Sequence, residues 1–369
     1  TGDHQRLKKT KVAAIISYVG RGYKGMQFQT DEPKTIEGEL ENAIYLAGCI
    51  SEDNKHNPRK VQWSRCARTD KGVSAANNLI ALKVATDGNY IERINSHLPP
   101  TIRIISTVKV SKSFNSKTRV DSRNYEYIFP AYALQKVDPS TSTIDTSYVP
   151  TEEDFKYFQA VIANYVKTHN FQNYTFNTKT AKADSKSNNR YIIAMGAQLV
   201  KINDMDVVSV SLQGQSFMLW QIRRMIGFAV VLTNLRYPVE RMNEIMQTSF
   251  TLVNWRHVIP TAPPHGLFLE RVNFDTYNKR LERDTANADK EAINTPDVIQ
   301  KCTEFKEKYI WTDIIEHEKE EHSFAEYMKD VKYALIDEVL SGKVSLEQFN
   351  EKNSTKNMPT AEEEEANEE

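Results

Sequence analysis

Twelve consecutive residues, Ser64-Arg65-Cys66-Ala67-Arg68-Thr69-Asp70-Lys71-Gly72-Val73-Ser74-Ala75, set three cations, one carboxylate and one glycine between two apolar segments. Val61-Gln62-Trp63 precedes them and the strand-like run Leu79-Ile80-Ala81-Leu82-Lys83-Val84 follows. A charged turn between buried strands is a place where a rigid scaffold presents reactive groups. Its one carboxylate, Asp70, is suited to work as a nucleophile or as a general base. Asp-Lys-Gly is also ordinary turn chemistry, so a solvated hairpin fits the stretch taken alone.

Two further stretches hold groups suited to a site. In Ser122-Arg123-Asn124-Tyr125-Glu126-Tyr127-Ile128-Phe129, period-two alternation puts Tyr125 and Tyr127 on one face of a strand. They read either as core residues or as aromatics aimed at a ligand base. Phe217–Thr233 reads as a helix that is apolar nearly all round and therefore buried. Arg223 and Arg224 nevertheless sit adjacent in its middle. Neighbours on a helix point about 100° apart, so one is expected to face outward and the other inward. A buried guanidinium costs several kcal/mol unless paired, which calls for a carboxylate partner.

The elements that must position these groups follow from the pattern. Lys11–Tyr18 is predicted as a buried strand. Val19-Gly20-Arg21-Gly22-Tyr23-Lys24-Gly25-Met26-Gln27-Phe28 is glycine-rich but lacks the Gly-Lys-Ser/Thr of a nucleotide loop. Thr35–Gly48 reads as an amphipathic helix, with Thr35 as N-cap, Gly48 as stop and Ile36, Leu40, Ala43, Ile44 and Ala47 inward. Ser51–Lys60 is a polar loop, Ile91–Leu98 a helix ended by Pro99-Pro100, and Ile102–Val110 a strand. This β-α-β-α-β order suits helices on one face of an antiparallel sheet. Gln135–Pro150 is linker-like. Thr151–Lys167 reads as a helix with Phe155, Phe158, Val161, Ile162 and Val166 inward. His169–Arg190 is a polar loop that starts with Phe171, Tyr174 and Phe176; it reads equally as an RNA-tracking loop or a plain surface loop. Tyr191–Val200 and Asp206–Gln213 form a strand pair around Asn203-Asp204. Pro238–Met246 is a short helix, and Ala262–Val272 a turn entering an apolar strand. Residues 279–350 are charged and helical, with Tyr309, Ile310, Ile314 and Ile315, then Phe324, Tyr327, Met328 and Val331, at helical spacing.

Formal net charge is -1, but it is unevenly spread. Residues 276–369 carry 13 Lys and Arg against 24 Asp and Glu, leaving 35 basic and 25 acidic residues before them. A basic body with an acidic tail suits a polyanion binder; chance clustering on a solvated tail is the alternative. Cys49, Cys66 and Cys302 are widely spaced, which argues against a disulfide framework or a structural zinc site and suits a reducing compartment. No apolar run reaches transmembrane length, and the opening residues do not resemble a signal peptide. A start at Thr1 suggests that the native beginning, with any targeting segment, is missing.

Arg68-Thr69-Asp70-Lys71-Gly72-Val73-Ser74-Ala75 resembles the catalytic-aspartate motif of the TruA-type tRNA pseudouridine synthases. Its Lys-Gly-Val-Ser-Ala ending is similar to the eukaryotic branch, the tRNA pseudouridine synthase 1 type; the bacterial pattern ends Ala-Gly-Val-His-Ala. Other blocks match in order: Gly25-Met26-Gln27, the helix start from Thr35 to Leu40, Arg123-x-Tyr125-x-Tyr127, the run from Gly214 to Arg223, and Ala262–Val272. The resemblance covers roughly Lys11 to Asn278. Trp220 stands where the family usually has histidine, a departure that bears on the rim of the pocket.

The resemblance implies an α+β fold: two ferredoxin-like halves forming a continuous antiparallel sheet around a basic catalytic cleft, plus a C-terminal helical extension. The expected divisions are a basic arm (1–10), an N-terminal half with the aspartate loop (11–120), a C-terminal half (121–278), the helical extension (279–350) and a disordered acidic tail (351–369). The tail suits solvation, with competition for the cleft as the lesser alternative. The implied activity is isomerisation of specific tRNA uridines to pseudouridine after base flipping. Asp70 acts as nucleophile or base, Arg223 keeps it ionised and oriented, and Tyr125 stacks on the uracil. Arg68 enters the vacated space, Arg65, Lys71, Lys24 and Arg224 contact RNA, and Leu267 lines the pocket. The reaction neither changes redox state nor consumes energy, so no cofactor and no metal are implied. The expected partner is tRNA, with small nuclear and messenger RNA as further candidates; no membrane association is expected. A monomer is expected, in the nucleus, with the mitochondrion as alternative. Two other readings stand beside this one. The first is a catalytically idle RNA-binding or RNA-chaperone protein on the same scaffold. The second is an unrelated hydrolase, which would need a second carboxylate that the motif blocks do not supply.

Overall fold

The structure, a computed structural model, describes residues 9–29, 34–175, 185–251, 255–283 and 290–354. Most of the expected basic arm, Phe176 and the acidic tail beyond 354 lie outside the described residues. The architecture is mixed α/β, with large, mostly antiparallel sheet structure and many helices. By internal contacts the chain forms two units. Unit 1 runs to Asn124 and adds Phe268–Asp313; unit 2 is Tyr125–Leu267 with the chain from Ile314 onward. The helical segment after residue 279 is thus shared between the two.

Unit 1 contains β1 (Lys9–Tyr18), β2 (Ser64–Arg65), β3 (Ser74–Ala85) and β4 (Ile102–Lys109), with most of a strand at Leu267–Asn273. Strand β1 is central, pairing antiparallel with β3 and β4, and β2 joins β3 through Ser64↔Ala81 and Arg65↔Ile80. The strand at Leu267–Asn273 adds to β3 in parallel, through Ser74↔Phe268 and Ala75↔Leu269. Helix α1 (Ile36–Leu46) starts where the sequence indicates, with Thr35 Oγ1 accepting from the Gly38 amide. Its apolar stripe, Ile36, Leu40, Ala43 and Ile44, is buried. Helix α2 (Tyr90–Ser96) packs against β4.

Strand β3 is longer than the sequence pattern suggests. It begins at Ser74, inside the charged motif, and includes Asn77 and Asn78, both buried. Asn77 faces Pro296–Phe305, a helix of the charged C-terminal segment, where its Nδ2 lies 3.4 Å from Cys302 Sγ. Asn78, pointing the opposite way, faces the loop that holds Asp70. Near-continuous burial along β1 and β3 follows from this covering of both faces, which corrects the expectation of helices on one face only.

Unit 2 builds its sheet in the order β5-β8-β7-β6 from β5 (Ser122–Pro130, mostly in this unit), β6 (Lys167–Asn170), β7 (Asn189–Ile202) and β8 (Met205–Gly214). The β7–β8 connection is Asn203-Asp204, both at positive φ, as a tight two-residue hairpin needs. Between α2 and β5 lies the single turn α3 (Ser116–Arg119), in unit 1. Helix α4 (Glu152–Ala163) is shorter than predicted, because Lys167 takes φ 87° and opens β6. Phe158, Val161 and Ile162 are buried as expected, while Phe155 is half-buried. The segment at 135–150 is not a free linker. Gln135 ties it to Asp145 by two hydrogen bonds, and Asp138 and Asp145 each close a turn on a serine amide at 2.8 Å.

Helix α5 (Gln221–Leu235) is buried almost throughout, as its composition requires. It is followed by α6 (Val239–Thr251), longer than predicted. Further along are α7 (Asp275–Arg283), α8 (Pro296–Phe305), α9 (Thr312–Glu321), α10 (Ser323–Asp330), α11 (Tyr333–Leu340) and α12 (Leu346–Ser354). A π-helical turn, Lys306–Trp311, joins α8 to α9. In unit 2, Tyr333 donates to Asn234 of α5 at 2.8 Å and Phe324 stacks on Phe129 with centroids 5.1 Å apart. Ile310, Ile314, Ile315, Met328 and Val331 are buried, as their spacing predicts. Among the described residues no helix is long and apolar enough to cross a membrane.

At the start of α4, burial pushes the Asp154 carboxyl up, but hydrogen bonds from Tyr148, Thr151 and Arg236 outweigh it and hold the group below the ordinary carboxylate range. A carboxylate with a depressed folded-state pKa gives stability that is present above its unfolded value, near 4, and is lost as pH falls through the folded value. Asp154→Asn is expected to lower unfolding free energy by about 2 kcal/mol at pH 7. Urea titrations at pH 7 and pH 3 are expected to show that deficit shrinking in acid.

Candidate active site

The Asp70 loop connects β2 to β3 and is fixed from below by one amide. Asn78, 0 % exposed, accepts from the Ala67 and Leu79 N–H groups at 3.3 and 2.8 Å. Its Nδ2 donates to Ala67 O at 3.0 Å and to the Tyr18 hydroxyl at 3.2 Å. Both donors and both acceptor sites of the side chain are therefore used. Tyr18 carries the chain onward to Thr69 Oγ1 at 2.8 Å, one residue before Asp70. Val73 N–H closes a turn on Asp70 O at 3.1 Å, with Gly72 at φ 77°.

From the other side the loop meets the glycine-rich segment after β1. A Cβ on Gly20 would lie 2.4 Å from Val73 O, so only glycine permits this approach. Gly25 lies at φ 101°, and a Cβ there would meet Thr69 O at 3.1 Å. Met26 N–H donates to Thr69 O, while the carbonyls of Gly25 and Met26 accept from the first amides of α1. These glycines thus serve main-chain packing against the Asp70 loop.

Glu37, in the first turn of α1 and 0 % exposed, is the second anchor. It accepts from Arg65 Nε and Nη2 at 2.6 and 2.7 Å, from Trp63 Nε1 at 2.6 Å and from Phe28 N at 3.0 Å. Arg65 is a bidentate partner of this buried carboxylate. Arg68 is exposed, with Nη1 3.4 Å from Gln27 Oε1. Asp70, Lys71 and Lys24 are half-buried. Burial pushes the Cys66 thiol up to about 12, against the nearby Arg123 charge, which makes it a poor nucleophile.

In unit 2, Tyr125 is 9 % exposed and meets Phe217 edge-on, centroids 5.2 Å apart. Tyr127 lies deeper and donates to Pro263 O at 2.7 Å. The helix predicted from Phe217 begins only at Gln221, because Trp220 takes φ 60°, a left-handed conformation that costs a tryptophan about 1–3 kcal/mol. Arg223 therefore lies in the first turn of α5, not its middle. It is 6 % exposed, Nε donates to Ala262 O at 2.8 Å, and its guanidinium carbon lies 5.6 Å from the Trp220 ring centroid. In place of the usual histidine, Trp220 supplies an aromatic surface beside the arginine.

The expectation of one exposed arginine in this pair fails. Arg224 is 2 % exposed and donates to the carbonyls of Asn173, Arg256 and Ile259 at 2.6–2.9 Å and to Thr261 Oγ1 at 3.2 Å. Backbone carbonyls take its donors, and at this burial it presents no surface to RNA. Phe171 and Tyr174 are likewise core residues at 0 % exposure, not stacking platforms. Leu267 is buried at the start of β9 (Leu267–Asn273).

Sequence reading passed over Asn78, Tyr18 and Glu37. The signals were present: a polar Asn-Asn pair at the head of an apolar run, and an acidic residue beside the apolar stripe of α1. Asn78→Ala leaves buried main-chain groups of Ala67 unpartnered, at about 1–3 kcal/mol for each. Chemical denaturation is expected to show a loss of at least about 2 kcal/mol.

A profile of the tRNA pseudouridine synthase family matches residues 161–275. The chain is 35 % identical over 327 residues to the mouse protein named Pseudouridylate synthase 1 homolog, covering 88 % of this chain and 74 % of that one. It is 31 % identical over 401 residues to tRNA pseudouridine synthase 1 of Yarrowia lipolytica, covering 87 % and 74 %. To the tRNA pseudouridine(27/28) synthase of Saccharomyces cerevisiae it is 28 % identical over 379 residues, covering 86 % and 98 %. With an aspartate loop held rigid in unit 1, a tyrosine and a buried arginine in unit 2, and relatives matched over most of their length, this chain belongs to the TruA-type tRNA pseudouridine synthase family.

Proposed function

We propose that this protein isomerises specific uridines of tRNA to pseudouridine, with Asp70 as the acting carboxylate. The observation that carries the reading is the Arg68–Ala75 loop, fixed by Asn78, Tyr18 and the main chain of Gly20–Met26, in a chain whose relatives are named for this reaction. A reactive carboxylate gains most from a rigid frame, because misplacement by about 1 Å costs about 100-fold in rate.

In the proposed reaction the uracil leaves C1′, turns and rejoins through C5. Asp70 works beside the sugar, as nucleophile at C1′ or as base toward the C2′ proton. The role proposed for Arg223 is to keep Asp70 ionised and oriented by opposite charge. Tyr125 stacks on the uracil and assists movement of the C5 proton. The target leaves its stack first, and Arg68, exposed two residues before Asp70, takes the vacated space. Lys71 and Lys24 approach the RNA backbone, and Leu267 lines the pocket. Two ferredoxin-like halves joined in one antiparallel sheet around a basic cleft are the architecture that suits these roles. The eukaryotic-type motif ending favours a nuclear monomer, with small nuclear and messenger RNA as further substrates; light scattering showing a stable dimer removes the monomer.

The test is tritium release from tRNA transcripts carrying C5-tritiated uridine. Wild type is expected to release tritium, and Asp70→Ala to fall by at least about 10³-fold while still binding tRNA. Equal release by the variant overturns the role of Asp70. Binding without release by either protein, over a panel of tRNAs, overturns the synthase reading.

A further inference from the structure

Arg223 owes its position to the turn Ala262–Gly266. Ala262 exchanges two hydrogen bonds with it, accepting from Nε at 2.8 Å and donating its own N–H to Arg223 O at 3.1 Å. The next residues are held as well: Pro263 O accepts from Tyr127, and Gly266 O accepts from the Ile128 amide at 2.9 Å. Between these anchors stands His265, whose ring stacks on His317 of α9 with centroids 3.7 Å apart and planes 24° from parallel. Close parallel stacking of this kind is an attractive, orientation-specific contact.

His317 sits on a firm base. Ile314 and Ile315 are buried beside it. The neighbouring Glu318, 7 % exposed, accepts from Tyr132 at 3.1 Å, from Ser323 Oγ at 2.9 Å and from the Phe324 amide at 3.0 Å. That carboxylate locks the junction of α9 with α10 and so fixes where the His317 ring lies.

We propose that His317 is a positioning residue for the pseudouridylation reaction: through the ring of His265 it holds the Ala262–Gly266 turn, and through the turn it sets the guanidinium of Arg223. This rests on the proposed role of Arg223. It gives the helices that follow the catalytic blocks a part in the chemistry beyond filling space.

The test compares His317→Ala, His317→Leu, which fills the space without a ring face, and His317→Phe, which restores one. Full-length proteins are assayed for tritium release and, separately, for hydrogen exchange at the Ala262 amide. His317→Ala and His317→Leu are expected to lower kcat about 10- to 100-fold with KM for tRNA unchanged, and to speed exchange at Ala262. His317→Phe is expected to stay near wild type in both. A purely structural role would lower thermal stability and leave kcat of the folded fraction unchanged. Unchanged kcat in an active wild-type background, or unchanged exchange at Ala262, in both ring-less variants overturns the proposal. Absence of release by wild type overturns the function reading alone, and the exchange measurement still decides whether His317 holds the turn.

Discussion

One carboxamide orders the Asp70 loop of unit 1. Asn78 lies fully buried on β3, and all four of its hydrogen-bonding positions are filled by the Asp70 loop, its own strand and Tyr18. A buried polar group left partly satisfied costs about 1–3 kcal/mol, so this one tolerates only a single arrangement of its neighbours. The loop inherits that uniqueness. Its order comes from beneath, through main-chain atoms of Ala67 and the hydroxyl of Thr69.

Buried charge is handled in two ways. Glu37 meets Arg65 as a bidentate ion pair and takes two further donors, so the desolvated carboxylate is compensated by contacts within its own unit. Arg224 donates to three carbonyls and a hydroxyl. Carbonyl dipoles stabilise a guanidinium without cancelling its charge. Arg224 therefore clamps the segment after α6 while its immediate neighbour Arg223 takes the adjacent Ala262 carbonyl. Two consecutive arginines thus hold one stretch of chain, which explains why both are buried on a helix whose period separates them.

Local periodicity made much of this legible. The strands β1, β5, β7 and β8, the Thr35 cap of α1 and the burial of α5 all follow from spacing and end signals. The family of the chain was readable from short motifs. The partners of the positioning residues were not, because they are distant in sequence: Asn78 reaches back 60 residues to Tyr18, and Arg65 reaches 28 back to Glu37. Helix boundaries failed where one residue adopts positive φ, as at Trp220 and Lys167, since neither type advertises that conformation. The burial of Arg224 is not legible in the sequence because a guanidinium can donate to carbonyls that no side-chain pattern reveals.

The interlock of Gly20 and Gly25 with the Asp70 loop bears on how this chain can change in length. Two segments some fifty residues apart meet there main chain to main chain, with no side chain between them to absorb a shift. An insertion or deletion in either would displace the other by a full residue step, about 3.3 Å in extended chain. Such changes belong at exposed connections such as 51–60 and 138–150, where added residues cost little beyond loop closure. Sequence drift in chain length is thereby steered away from the chemistry, by backbone contact alone.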